Sequence, residues 1–134
     1  MSSVFQDYFT DDAPPRNLIR EWYLLQDDRV RAAFDARIGF IESFSPLDWG
    51  RLNPIKPMER ECAGLWEVLL DLKDHRPYRH IRPIGIWYSD ERLFILLGAF
   101  EKSGRIRTPG NACSEAIKYK SQYESGRGTI NDHA

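Results

Sequence analysis

Long apolar runs are missing from this chain. No stretch approaches the roughly 20 residues needed to cross a bilayer. Residues 1–7 carry neither the basic segment nor the apolar core of a secretory signal. Both absences lead to the expectation of a cytoplasmic protein without a membrane partner. Cysteine is scarce as well. Cys62 and Cys113 are the only two, too few for a disulfide framework and not at zinc-type spacing, so they are expected as reduced, buried thiols. A dominant charge sign is also absent. The 19 Lys and Arg nearly balance 20 Asp and Glu for a net charge of −1, which excludes a strong field over the whole molecule.

What is present is an ordinary globular composition, 42% hydrophobic and 29% charged, in 134 residues. That is one domain's length and enough for a core without staples. The charge is unevenly placed. Nine acids face five arginines up to Gly50, while 14 bases face 11 acids from Arg51 onward. A local basic surface for an anionic partner is therefore allowed.

The densest signal lies in residues 64–109. Three apolar runs rich in Trp, Val, Ile, Leu, Tyr and Phe follow one another across short charged turns, as in a small curled sheet. The first covers residues 65–72, with Trp66, Val68, Leu70 and Leu72 on one face. The second covers residues 78–88. Its alternation slips near Pro83 and Gly85, which predicts a bulge. The third, residues 93–100, is continuously apolar and suits a central strand. His75, Arg76, Arg79, His80 and Arg82 are threaded between the runs, which predicts a basic face.

Around this sheet the chain supplies helices. Residues 4–9 alternate weakly, as in a short first strand. Pro14 and Pro15 are read as a helix start. Leu18, Trp22 and Leu25 then line one side of a helix over residues 16–25. Asp27 or Asp28 caps a second helix over residues 29–44, with Val30, Phe34, Ile38 and Ile41 in its stripe. The pair reads as a helical hairpin. Residues 47–57 read as irregular and residues 101–107 as a charged loop. Thr108 and Pro109 are read as opening a last helix over residues 111–123. The domain is expected to end at residue 123, with residues 124–134 a frayed tail.

The order of short motifs in residues 59–123 resembles the RelE/ParE superfamily of small bacterial toxins, closest to its HigB-like, phage-derived branch. The residues are Gly64-Leu65-Trp66-Glu67, then Tyr78-Arg79, then Leu96-Leu97-Gly98-Ala99-Phe100-Glu101-Lys102 followed by Thr108-Pro109. The resemblance implies an α+β, RelE-like fold. Its N-terminal helical hairpin would pack on a small, mostly antiparallel twisted sheet with a C-terminal helix. It also implies the toxin of a type II toxin–antitoxin pair, its cognate antitoxin of helix-turn-helix type, and an mRNA endoribonuclease acting on mRNA, often at the ribosome. The chemistry is attack of the RNA 2′-hydroxyl on the adjacent phosphate. It needs a base, an acid and cations, and no metal or cofactor.

Carried over by position, the resemblance implies catalytic roles for four residues. Arg79 would hold the scissile phosphate, which suits a permanently charged, forked guanidinium. Glu61 stands where some relatives keep a general base. Lys102 and Arg107 would complete the phosphate site, while Arg76, Arg82, Arg105 and Tyr78 would contact RNA. The chain departs from the family pattern at Leu69, Ser103 and Cys113, which replace an arginine, a lysine and a tyrosine. His75 and His80 have suitable chemistry for proton transfer near neutrality. His80, adjacent to Arg79 in one strand, is expected on the opposite face. Two other readings stay open: a gyrase-binding toxin without nuclease activity, and a catalytically degenerate module that binds only its antitoxin.

Overall fold

The computed structural model describes residues 3–73 and 78–133. It is a mixed α+β fold in which four α-helices accompany an eight-stranded, mostly antiparallel open sheet among the described residues. In chain order these are β1 (Phe5–Phe9), α1 (Leu18–Leu24), α2 (Asp28–Glu42), α3 (Trp49–Leu52), β2 (Ile55–Pro57), β3 (Trp66–Val68), β4 (Leu70–Leu72), β5 (Arg79–Tyr88), β6 (Leu93–Ser103), β7 (Ile106–Thr108), α4 (Ala112–Glu124) and β8 (Thr129–Asp132). Among the described residues, no helix is long and apolar enough to cross a membrane.

The main path of the sheet runs β2-β3-β5-β6-β1-β8, with β4 paired to β5 and β7 paired to β6. Among the described residues only β1 and β6 run parallel. Strand β6 is central, which matches its continuously apolar sequence. Two cores flank the sheet. Phe5, Ile19, Phe34, Ile38, Ile41, Leu70, Ile81 and Phe94 join the N-terminal helices to one face. Tyr8, Leu65, Ile84, Ile95, Phe100, Ala116 and Tyr119 join α4 to the other. Each large side chain so buried contributes roughly 1.5–3 kcal/mol.

Local signals explain most boundaries. Asp27 caps α2 by accepting from the Val30 amide at 3.0 Å. The slip expected near Pro83 is a register shift between Ile84 and Gly85 against β6. At Gly85 a Cβ would lie 1.8 Å from the Ile95 carbonyl oxygen, so the close backbone approach there admits only glycine.

Five expectations are corrected. Helix α1 starts at Leu18 under an Asn17 cap, not at the prolines, because Thr10 and Arg16 close residues 10–16 into a loop. The single strand expected over residues 65–72 breaks at Leu69, whose amide bonds to the Pro54 carbonyl at 3.0 Å. The charged loop is a hairpin: β6 runs to Ser103 and returns as β7. Helix α4 opens at Ala112 without a side-chain cap, not at Thr108-Pro109. The tail expected to fray carries β8, which pairs with β1. There His133 Nδ1 lies 2.6 Å from the buried Asp7 carboxylate, and Gln6 bonds to Asp132.

The cysteines also differ from expectation. Cys62 and Cys113 form a disulfide, with their Cα atoms 5.3 Å apart. The 3-10 turn Arg60–Cys62 packs on the first turn of α4 and brings the two together inside the second core. Chain spacing alone held no sign of that contact.

Candidate functional site

Strand register places the sequence-derived candidates on two different faces. Asp71 of β4 pairs with His80 of β5, His80 pairs with Lys102 of β6, and Lys102 pairs with Arg107 of β7. Directly opposed residues project to the same side of a sheet. Asp71, His80, Lys102 and Arg107 therefore form one row across four strands, on the side covered by α4. Arg79, one residue before His80, projects to the other side.

The row has internal order. His80 Nδ1 lies 2.8 Å from Asp71 Oδ1. An ionised carboxylate only accepts, so Nδ1 donates and Nε2 is left as the basic nitrogen. Burial pushes the Asp71 carboxyl up, but hydrogen bonds from His80 and Arg82 outweigh it, and the group sits below its ordinary value. Asp71 is thus held as the anion that orients the ring. The His80 side chain remains 43% exposed, open to a ligand from solvent. Lys102 is exposed and makes no ion pair among the described residues.

Arg107 ends the row. Its guanidinium lies over the Phe100 ring, 5.5 Å from the centroid, and its Nη1 is 2.5 Å from Glu61 Oε1. The hydrogen bond from Arg107 holds the Glu61 carboxyl below its usual range. A carboxylate so held is a weaker base, which counts against the general-base role that resemblance gives Glu61. Glu61 does lie at the row, because the turn carrying it is tied to α4 through Cys62.

Arg79 serves a different neighbourhood. Its Nε and Nη2 donate to Glu101 at 3.0 and 2.5 Å, and its Nη1 lies 3.3 Å from Asp27 at the start of α2. The hydrogen bond to Glu101 raises its pKa further. The structure therefore separates Arg79 from Lys102 and Arg107, with which the resemblance groups it.

The remaining candidates are scattered. Arg82 shares the His80 face, but it donates to Asp71 at 2.9 Å and to the Leu70 carbonyl, and lies 3.8 Å from Glu67. Arg105 sits exposed in the turn between β6 and β7, and Tyr78 is 58% exposed ahead of β5. Arg76 and His75 lie outside the described residues. The basic face expected from sequence is split and compensated, with Arg79 on one side of the sheet and Arg82 and Arg107 on the other, each on a carboxylate.

No family model, curated protein or solved structure matches this chain. The residues that sequence reasoning underweighted are His80 and Asp71. The sequence signal is parity, which puts His80 on the face opposite Arg79. The missing step was the register that brings Lys102 and Arg107 onto that face.

Proposed function

We propose that this chain is a RelE-like toxin of the HigB-like branch, one half of a type II toxin–antitoxin pair, and that it cleaves mRNA without a metal. The observation that carries the reading is the row Asp71–His80–Lys102–Arg107, a carboxylate-oriented imidazole in line with two cations. The RelE-like core and the helix-turn-helix antitoxin rest on the sequence motifs.

In this reading His80 Nε2 takes the proton from the RNA 2′-hydroxyl. The freed oxygen attacks the adjacent phosphorus, giving a 2′,3′-cyclic phosphate and releasing the 5′-oxygen. Arg107 binds the phosphate oxygens as charge accumulates, exchanging its bond to Glu61 for the RNA. Lys102 is the ammonium placed to protonate the leaving 5′-oxygen, since a guanidinium does not give up its proton. Exposed Arg105 and Tyr78 bind flanking nucleotides by charge and stacking. Acid–base groups of this kind supply typically 10²–10⁴-fold in rate.

The test is cleavage of mRNA in EDTA by purified protein, alone and with ribosomes. The expected products end in 2′,3′-cyclic phosphate and 5′-hydroxyl, and His80→Ala lowers the rate at least about 100-fold. Full activity in His80→Ala refutes the assignment of the base. One observation favours a second reading, a degenerate module that only binds its antitoxin: Arg79, Arg82 and Arg107 are all paired with carboxylates and the net charge is −1. Absence of cleavage alongside tight antitoxin binding would select it.

A further inference from the structure

Glu61 and Arg107 meet at the surface end of the candidate row. Arg107 keeps 29% of its side chain exposed and Glu61 keeps 62%. Phosphate oxygens arriving from solvent therefore compete with Glu61 for the same guanidinium. Glu61 directly precedes Cys62, and Arg107 lies six residues before Cys113. The Cys62–Cys113 bond thus clamps together the two segments that carry this ion pair.

The turn bearing Glu61 is held in an unfavourable backbone. Arg60 has a φ of 57°, in the left-handed region where a side chain crowds the backbone. Such a conformation persists only where surrounding contacts impose it. Glu59 gives the turn no side-chain cap. The turn's own bonds are local, from the Cys62 amide to the Glu59 carbonyl at 3.1 Å and from the Ala63 amide to the Arg60 carbonyl at 3.0 Å. Its anchor on α4 is Cys62, fully buried in the second core and bonded to Cys113.

The other half of the bond lies at a helix end that opens easily. Cys113 sits in the first turn of α4, where Asn111 makes no side-chain cap. An uncapped first turn has amides without partners and frays ahead of the rest of its helix. Fraying gives a thiol access to the buried sulfurs.

We infer that the Cys62–Cys113 disulfide is a redox switch on the candidate row: while intact it holds Glu61 on Arg107 as an autoinhibitory contact, and its reduction by a dithiol frees Arg107 for an RNA phosphate. The consequence for RNA rests on the cleavage reading above, whereas the contact and its release do not. A thiolate of the dithiol attacks one sulfur, forms a mixed disulfide and displaces the other cysteine as a thiolate. The second thiol of the dithiol then displaces the remaining cysteine. Two electrons pass to the protein, the dithiol ends as a cyclic disulfide, and its two protons end on Cys62 and Cys113. Unbonded sulfurs cannot stay at bonding distance in a packed interior, so the turn shifts, Arg60 relaxes and Glu61 moves off Arg107 with it.

The full chain is compared in three forms: oxidised, reduced with dithiothreitol, and with Cys62→Ser and Cys113→Ser together. NMR titration of the Glu61 carboxyl is the first readout. Arg107 holds that carboxyl below its usual range in the oxidised chain, and it is expected back in the ordinary range in the other two. Binding of a 2′-O-methyl RNA hexamer, which has no 2′-hydroxyl to attack, is the second. It should tighten about threefold to fivefold on reduction, the scale of one surface ion pair. Glu61→Gln leaves the disulfide in place, so it tests the contact apart from any loss of stability. In its oxidised form it should bind the hexamer like the reduced chain and no longer respond to dithiothreitol. An unmoved Glu61 titration overturns the inference, as does measurable hexamer binding that is unchanged or weaker after reduction. So does a Glu61→Gln chain that still responds, or loss of the native amide spectrum on reduction, which would make the bond a structural staple. Release of Glu61 in a chain that neither binds nor cuts RNA in either state would support the switch and refute the cleavage reading.

Discussion

His80 and Arg79 are neighbours in sequence, yet the pleat sends them to opposite faces and into different chemistry. Arg79 is enclosed by Glu101 and by Asp27, the cap of α2. Arg79→Ala is therefore expected to cost about 1–3 kcal/mol, because Glu101 loses a charged partner. RNA cleavage should stay within tenfold of the unmodified chain. Denaturant unfolding and cleavage assays on the same variant separate the two effects. Loss of cleavage at undiminished stability would return Arg79 to the phosphate. Tyr88 gives a second residue-level prediction. Burial and a hydrogen bond to Glu124 push its hydroxyl up to about 12, from an ordinary value of 10.0. A group whose folded pKa is raised contributes stability that is complete below the unfolded value and is lost as pH rises through the folded one. Stability should therefore fall between pH 10 and 12, and Tyr88→Phe should flatten that fall in unfolding curves measured across the range.

At the scale of elements, the register shift in β5 determines which residues meet. From Leu93 to Leu96 the pairs with β5 run in one register, and from Gly98 to Lys102 in another, with Leu97 the extra residue. The shift re-aims the distal part of β6, so that Lys102 stands beside His80. Gly85 permits the close approach at this point. Gly85→Ala is expected to cost about 2–4 kcal/mol, the range of a backbone clash that a core cannot absorb. It should also shift the His80 and Lys102 resonances. A variant with unchanged stability would mean that β5 and β6 can separate freely there. The place of the irregularity was legible in the sequence, because Pro83 and Gly85 break an alternation, but the extra residue lies in the partner strand at Leu97, where the apolar run gives no sign of it. The β6–β7 hairpin was not legible. Its strands carry Glu101, Lys102 and Arg107 and its turn Arg105, and a solvated hairpin has the same charge pattern as a loop.

Over the whole molecule, the disulfide ties the 3-10 turn Arg60–Cys62 to the first turn of α4, on the side of the sheet that carries the candidate row. It links residues 51 apart, and closing a loop of that size in the unfolded chain is worth roughly 4 kcal/mol in the chain-entropy picture. Reduction with a dithiol, or replacing both cysteines by alanine, should lower stability by about 2–4 kcal/mol. Urea unfolding with and without reductant measures it. An unchanged midpoint would show that the packing of the 3-10 turn on α4 needs no bond. The strand β8 acts on the same scale from the other end, covering the edge of β1 and burying Asp7 against His133. Its sequence, Thr129-Ile130-Asn131-Asp132, is short and polar, so only pairing to β1 distinguishes it from a frayed terminus.

Local patterns in the sequence determined the α+β class, the two N-terminal helices, the central apolar strand and the opposite faces of Arg79 and His80. Helical stripes, caps and alternation all act within a few residues, so they can be read without knowing the fold. Tertiary structure decided which side chains met. Register across β4, β5, β6 and β7 assembled Asp71, His80, Lys102 and Arg107. Packing of one turn on α4 brought Cys62 to Cys113. Each of these depends on contacts between distant segments, and in the sheet a one-residue change of register would move a strand's side chains to the other face.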